Sequence, residues 1–181
     1  MAEYTAYFKG EWMPFSQVKI DPMDRGFTVG DVVFDVARTF NGKSFRMEDH
    51  IQRLYRSLKF VRIDPGLSAK EMLAISEEVV QRNDHLRAEV GDFTITQFVT
   101  RGPGSSSRSA GPPAVCVKVA PIGFGRFADL FKDGAHGVIT RTRSYPVESL
   151  DPKVKNYSRM NFNLADLEAA DVDPEAWPIL T

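Results

Sequence analysis

A single cysteine, Cys116, in 181 residues rules out an intrachain disulfide and makes a reducing compartment, the cytoplasm, the expected location. Basic excess is missing as well: 23 Lys and Arg stand against 24 Asp and Glu, a formal net charge of −1. Surfaces that track nucleic-acid phosphates need such an excess, so nucleic acid is not expected as a partner. The balance still allows a local basic pocket for one small anion. No apolar run approaches the length of a membrane span, and MAEYTAYFKGEW has neither the basic start nor the apolar core of a secretion signal. Histidine is scarce too, and His85 and His136 have no ligand-spaced partners, so no metal site is expected. Internal repeats are absent. What remains is an ordinary globular composition, 43% hydrophobic and 26% charged, enough for one good core and part of another.

The pattern along the chain predicts short strands over residues 4 to 20, in YTAYF, EWMPF and QVKI, with Lys9-Gly10 as a turn. VVFDVARTF, 32 to 40, reads as a strand closed by Asn41-Gly42, whose residues both tolerate positive φ, and residues 43 to 46 as its returning partner. A helix is predicted over about 48 to 61, with Ile51, Leu54, Leu58 and Val61 as one stripe. Ser68 and Glu71 have the spacing of a capping box at the start of a second helix, with Met72, Ile75 and Val79 inward. FTITQFV (93 to 99) and AVCVKVA (114 to 120) alternate as strands around the loop RGPGSSSRSAGPP (101 to 113). Cys116 in that alternation reads as a buried, inert thiol.

This order suggests an α+β domain over residues 1 to 122, a linker over 123 to 135, and a second unit from 136 to 181. In the second unit HGVITRT begins with a strand, a helix follows over about 159 to 170 with Met160, Leu164 and Leu167 on one face, and WPILT begins another strand. Half a domain of this kind is expected to leave an unpaired strand edge and uncovered apolar surface.

Two groups of residues can carry chemistry. In SLDPKVKNY a lysine ahead of a helix N-terminus can be held with its amine in a crevice, where burial and neighbouring cations free the lone pair for imine formation. Extended backbone puts Lys153 and Lys155 on one face, so spacing does not choose between them. In EDHIQRL, periodicity puts His50 and Arg53 on the solvent-facing flank of the first helix. A guanidinium there could hold a phosphate through paired bonds to two oxygens.

DRGFTVGDVVFDVARTFNGKSFRMEDHIQRLYRSL and SLDPKVKNY together resemble fold-type IV enzymes that use pyridoxal 5'-phosphate (PLP), the class IV aminotransferases and their relatives. The resemblance covers essentially the whole chain. It implies an α+β N-terminal domain followed by the first part of an α/β C-terminal domain, as in D-amino-acid aminotransferases. It implies Lys155, the lysine before Asn156, as the Schiff-base residue, and Arg53 of HxxRL as the phosphate ligand. Phe34 takes the place of an aromatic residue lining the substrate pocket, often a tyrosine, whose hydroxyl is absent here. Arg38 on the same strand face, and Arg108 in the loop after the VTRG-type strand end, are implied substrate-carboxylate contacts.

The implied reaction is transamination between an amino acid or amine and a 2-oxo acid, in a homodimer formed through the N-terminal domains. Val36, where branched-chain enzymes often have glycine, and VTRG tilt the resemblance towards D-amino-acid and (R)-amine types, with branched-chain aminotransferase the close alternative. A PLP-dependent lyase like aminodeoxychorismate lyase shares the same lysine and fold. Family members also take a glutamate on the pyridine nitrogen, and further phosphate contacts, from segments beyond the region resembled. The chain is therefore expected to be a fragment, and a catalytically incomplete one that only dimerises or binds is the third reading.

Overall fold

Residues 3–126 and 128–181 are described by a computed structural model. Phe127, inside the expected linker, lies outside the described residues. The chain divides into two units. The first comprises the residues up to Ile122 together with Val154–Tyr157, and the second comprises Gly123–Lys153 and Ser158–Thr181. Four residues counted with the second unit on sequence grounds thus pack with the first.

In the first unit β1 (Thr5–Phe8), β2 (Glu11–Pro14), β3 (Val32–Phe40), β4 (Lys43–Ser44), β5 (Phe93–Thr100) and β6 (Val115–Pro121) form one antiparallel sheet in the order β2-β1-β6-β5-β3-β4. QVKI forms no strand. Pro14 has no amide hydrogen to continue a ladder, and the chain turns at once through a 3-10 helix at Phe15–Gln17. The return after Asn41-Gly42 is also shorter than its pattern suggests, because Arg46 takes φ 51° and lifts the chain away to start a helix. The Asn41-Gly42 turn is tied down by Asp92, whose carboxylate accepts from Asn41 N, Gly42 N and Thr39 Oγ1 at 2.7–2.9 Å. These bonds hold the Asp92 carboxyl below the usual carboxylate range.

Between the strands run a one-turn helix α1 (Arg25–Thr28), two longer helices, α2 (Met47–Val61) and α3 (Ala69–Asn83), and a further single turn, α4 (Arg87–Val90). Ser68 and Glu71 make the expected reciprocal capping box at the start of α3. The α2 stripe Ile51, Leu54 and Leu58 and the α3 residues Met72 and Val79 are buried against Val33, Ala37, Phe93, Ile95, Val99, Val117 and Val119 of the sheet. Alternation along β5 is strict: Phe93, Ile95, Gln97 and Val99 are buried, the residues between them mostly half-buried. By the same alternation β3 points Val33, Asp35, Ala37 and Thr39 at the helices, and Phe34, Val36, Arg38 and Phe40 away from them. This assignment of faces positions the site.

The second unit opens with a single turn, α5 (Leu130–Asp133). It then pairs β7 (Gly137–Ile139) in parallel with β8 (Trp177–Ile179), and α6 (Met160–Val172) packs beside them. Met160, Leu164 and Leu167 do not supply the packed face of α6. They are 71%, 49% and 64% exposed, while Ala165 and Ala169, one turn apart, are fully buried. Small side chains let the helix backbone approach its neighbours closely. Glu168 anchors the helix to the strand end by accepting from Arg141 N, Thr142 N and Thr142 Oγ1. Among the described residues no helix is long and apolar enough to cross a membrane.

Candidate active site

A carboxylate in the core-facing row of a strand needs a partner, since an unpaired buried charge costs several kcal/mol. Asp35 is such a residue. Its side chain is 0% exposed, and its partners come from the flank of α2 that the helix period had directed at solvent. Arg53 approaches edge-on, donating from Nε to Oδ2 and from Nη2 to Oδ1, both at 2.7 Å. His50 Nδ1 stands 2.7 Å from Oδ1, and the Val36 amide donates to the same oxygen at 2.7 Å. Burial works against the Asp35 carboxylate, but the hydrogen bonds and charges of Arg53 and His50 outweigh it and hold the carboxyl below its usual range. The same bond raises the Arg53 guanidinium further above its own range.

The bidentate pair fixes the orientation of Arg53. Of its five N–H groups, two are spent on Asp35, and the Nη1 end takes no part in those bonds. The side chain is 44% exposed, so this end is open to a ligand. One edge on an internal carboxylate and one edge outward is the geometry that presents a guanidinium fork to an external anion.

One turn along α2, Ser57 joins this cluster to the lysine segment. Ser57 is buried, donates to Arg53 O at 3.2 Å, and accepts a long bond from Lys155 N at 3.4 Å. The segment itself lies on the open edge of β3. Because β4 pairs only with Thr39 and Phe40, the edge near Val33 needs another partner, and Val154–Tyr157 supplies it. Val33 forms an antiparallel bridge with Asn156, and Phe34 N donates to Lys155 O at 3.0 Å. Val154 drops into the core and acts as the anchor. Lys155 Nζ then lies 4.5 Å from the centroid of the Phe34 ring, within cation–π range. Tyr157 stacks on the same ring, with centroids 4.1 Å apart. Burial raises the Tyr157 hydroxyl above its ordinary range, with a smaller push from Cys116.

The two lysines that spacing left equivalent are thus unlike. Lys153 belongs to the second unit and is exposed, its amide donating to Asp151. Lys155 is half-buried against β3.

Arg38 keeps its face of β3, but its Nε donates to Thr39 O and its guanidinium lies 3.8 Å from the Phe40 ring centroid. Arg108 is exposed on the 101–113 loop, where its neighbour Ser107 accepts from Arg25. The loop's tighter arginine is Arg101, which the sequence reading passed over. It grips both oxygens of Asp31 and caps α2 by donating to Val61 O and Arg62 O.

Asp35 and Ser57 were also passed over, although each leaves a sequence signal. Asp35 is an acid in the middle of an apolar alternation, and Ser57 is a small polar residue inside the apolar stripe of α2. Cys116 is buried on the sheet, and burial pushes its thiol up to about 12, as suits an inert group.

Comparison with known proteins adds a family. Residues 32–181 match the model of the amino-transferase class IV family. A Methanocaldococcus jannaschii protein provisionally named a branched-chain-amino-acid aminotransferase is 31% identical over 169 residues, covering 90% of this chain and 54% of that protein. The D-alanine aminotransferase of Bacillus licheniformis is 38% identical over 118 residues, 64% of this chain and 40% of that one. Among solved structures, the branched-chain aminotransferase from the thermophilic archaeon Thermoproteus uzoniensis with norvaline superposes with a TM-score of 0.79 at 20% identity, covering 95% of this chain and 58% of that chain. The chain spans about half the length of the curated relatives it matches.

Proposed function

Since the chain belongs to the class IV aminotransferases, we propose that it carries the Lys155 and Arg53 side of a PLP-dependent transamination site, passing an amino group between an amino acid or amine and a 2-oxo acid. The observation that carries this reading is the tie between Arg53 and Lys155. Both are fixed to the same stretch of β3, through Asp35 and Phe34, and both are bonded to Ser57.

The residues fit the cofactor on chemical grounds. Arg53 has one guanidinium end committed to Asp35 and the other open, which suits a phosphate, and Lys155 offers a primary amine for an aldehyde. When bound, PLP supplies the electron sink that lets a Cα–H bond ionise.

Lys155 Nζ is the amine that would hold the cofactor, and its basic nitrogen would serve to accept and return a substrate proton. Phe34 sets where Nζ resides, since its ring face attracts a cationic nitrogen. Phe34 and Tyr157 together make an aromatic wall beside the amine. Arg38 and Arg108 are the candidate contacts for the substrate carboxylate. The working state is a homodimer in the cytoplasm, and Val36 with the VTRG-type strand end favours D-amino-acid or (R)-amine substrates over branched-chain ones.

Borohydride reduction of the purified chain with PLP, followed by peptide mapping, tests the anchor. The label is expected on Lys155 and absent from Lys155→Ala. A label on Lys153, or none, overturns the assignment. Product analysis then separates transfer of the amino group from elimination as catalysed by a lyase.

A further inference from the structure

The cluster that holds Arg53 is short of positive charge for the ligand assigned to it. Asp35 and Arg53 cancel, whereas a phosphate ester brings a charge of about −1.5 to −2 near neutral pH. The cluster has one more ionisable member. Because the Asp35 carboxylate only accepts, His50 Nδ1, 2.7 Å from Oδ1, must carry a hydrogen. Arg53 Nη2, 3.2 Å from the same Nδ1, then faces it donor to donor and makes no bond with it. His50 Nε2 takes no part in these contacts and is the atom that gains or loses the proton, and the side chain is 22% exposed, so solvent can supply it.

We propose that His50 is a second, titratable cation of the anion site, so that the site's hold on a phosphate group strengthens when the imidazole takes up a proton. The inference rests on the reading of Arg53 as a phosphate residue. The charged groups facing the ring are Asp35 from β3, which favours the proton, and Arg53 from α2, which opposes it. Towards the start of α2, Arg46 and Asp49 pair with each other at 2.6 Å in solvent, and the positive end of the helix dipole adds to the opposition. A bound dianion beside the ring favours its charged form. By reciprocity, an anion held tenfold more tightly by the protonated form raises the His50 midpoint by about one pH unit.

Sulfate is the probe, because its charge stays constant between about pH 5 and pH 8, where an imidazole can change charge. The imidazole resonances of His50 and the Nε–H resonance of Arg53 are followed in the full chain by NMR, with and without sulfate, at ionic strength matched with chloride. The expected result is that sulfate moves the Arg53 signal and raises the His50 midpoint by about one unit. His50→Asn keeps an N–H for Asp35 without a titrating group. Its sulfate affinity is expected to be flat between about pH 5 and pH 8, against a change of about tenfold in the parent. Movement of Arg53 with an unshifted His50 midpoint overturns the role of His50 alone. No response at either residue overturns the anion-site reading, and this inference with it.

Discussion

Replacing Asp35 by Asn removes one charge and almost no volume, so the perturbation isolates the electrostatics of the cluster. In the parent the carboxylate accepts from Arg53 Nε, Arg53 Nη2, His50 Nδ1 and Val36 N, all at 2.7 Å. The amide can keep one accepting oxygen, but its NH2 confronts donors. Breaking a buried ion pair costs about 3–5 kcal/mol when the surviving charge is trapped. Here the survivor is Arg53, 44% exposed, which can turn to water, so the loss is smaller, about 2 kcal/mol.

For a unit of this size that corresponds to a fall in Tm of roughly 6–8 °C at pH 7. The pH dependence supplies the stricter check. Asp35 has its carboxyl lowered on folding, so its contribution is complete above the unfolded carboxylate value of about 3.9 and is lost as pH falls through the lower folded value. Thermal melts of parent and Asp35→Asn should therefore differ at neutral pH and converge in strong acid. Equal melting at pH 7, or a gap that survives in acid, would refute the argument that the charge of Asp35 stabilises this fold.

Gly102 sits at φ +89°, and a Cβ there would come within 2.8 Å of the carbonyl carbon of Pro112 and nearer still to its oxygen. Both the strained φ and a clash with backbone that cannot rotate away act together, so Gly102→Ala should lose about 3 kcal/mol, read from urea unfolding. At Cys116 the thiol is fully buried and pushed up to about 12, so a thiol reagent at pH 8 should label it only after denaturant is added. Labelling of the native chain as fast as of the unfolded one would show that the sheet face over Cys116 opens readily.

Local rules account for the elements that could be read directly. β3 runs from Val32 to Phe40 as its alternation and closing Asn-Gly suggested, and the Ser68–Glu71 capping box starts α3 where its spacing placed it. Each of those signals is complete within a few residues, so no distant contact is needed to interpret it. The resemblance to the class IV family was legible for a related reason, since its motifs are short contiguous stretches of chain.

Where local rules failed, tertiary packing supplied a partner they could not see. Helix period alone put His50 and Arg53 on the solvent-facing flank, where Arg53 is exposed, but it could not show that this flank also reaches a buried carboxylate on β3, which is stable in the core only with cations beside it. In α6 the same period gathered Met160, Leu164 and Leu167 on one face, yet Ala165 and Ala169 are the residues that pack. Lys153 and Lys155 are equivalent in extended backbone and became distinct only when Val154 entered the core and Asn156 bridged Val33. By itself the sequence determined most of the strands, the longer helices and, through its motifs, the family to which the chain belongs. The choice of which lysine lies over Phe34, and which carboxylate orients Arg53, came from a strand edge that β4 leaves open and a buried charge that had to be paired.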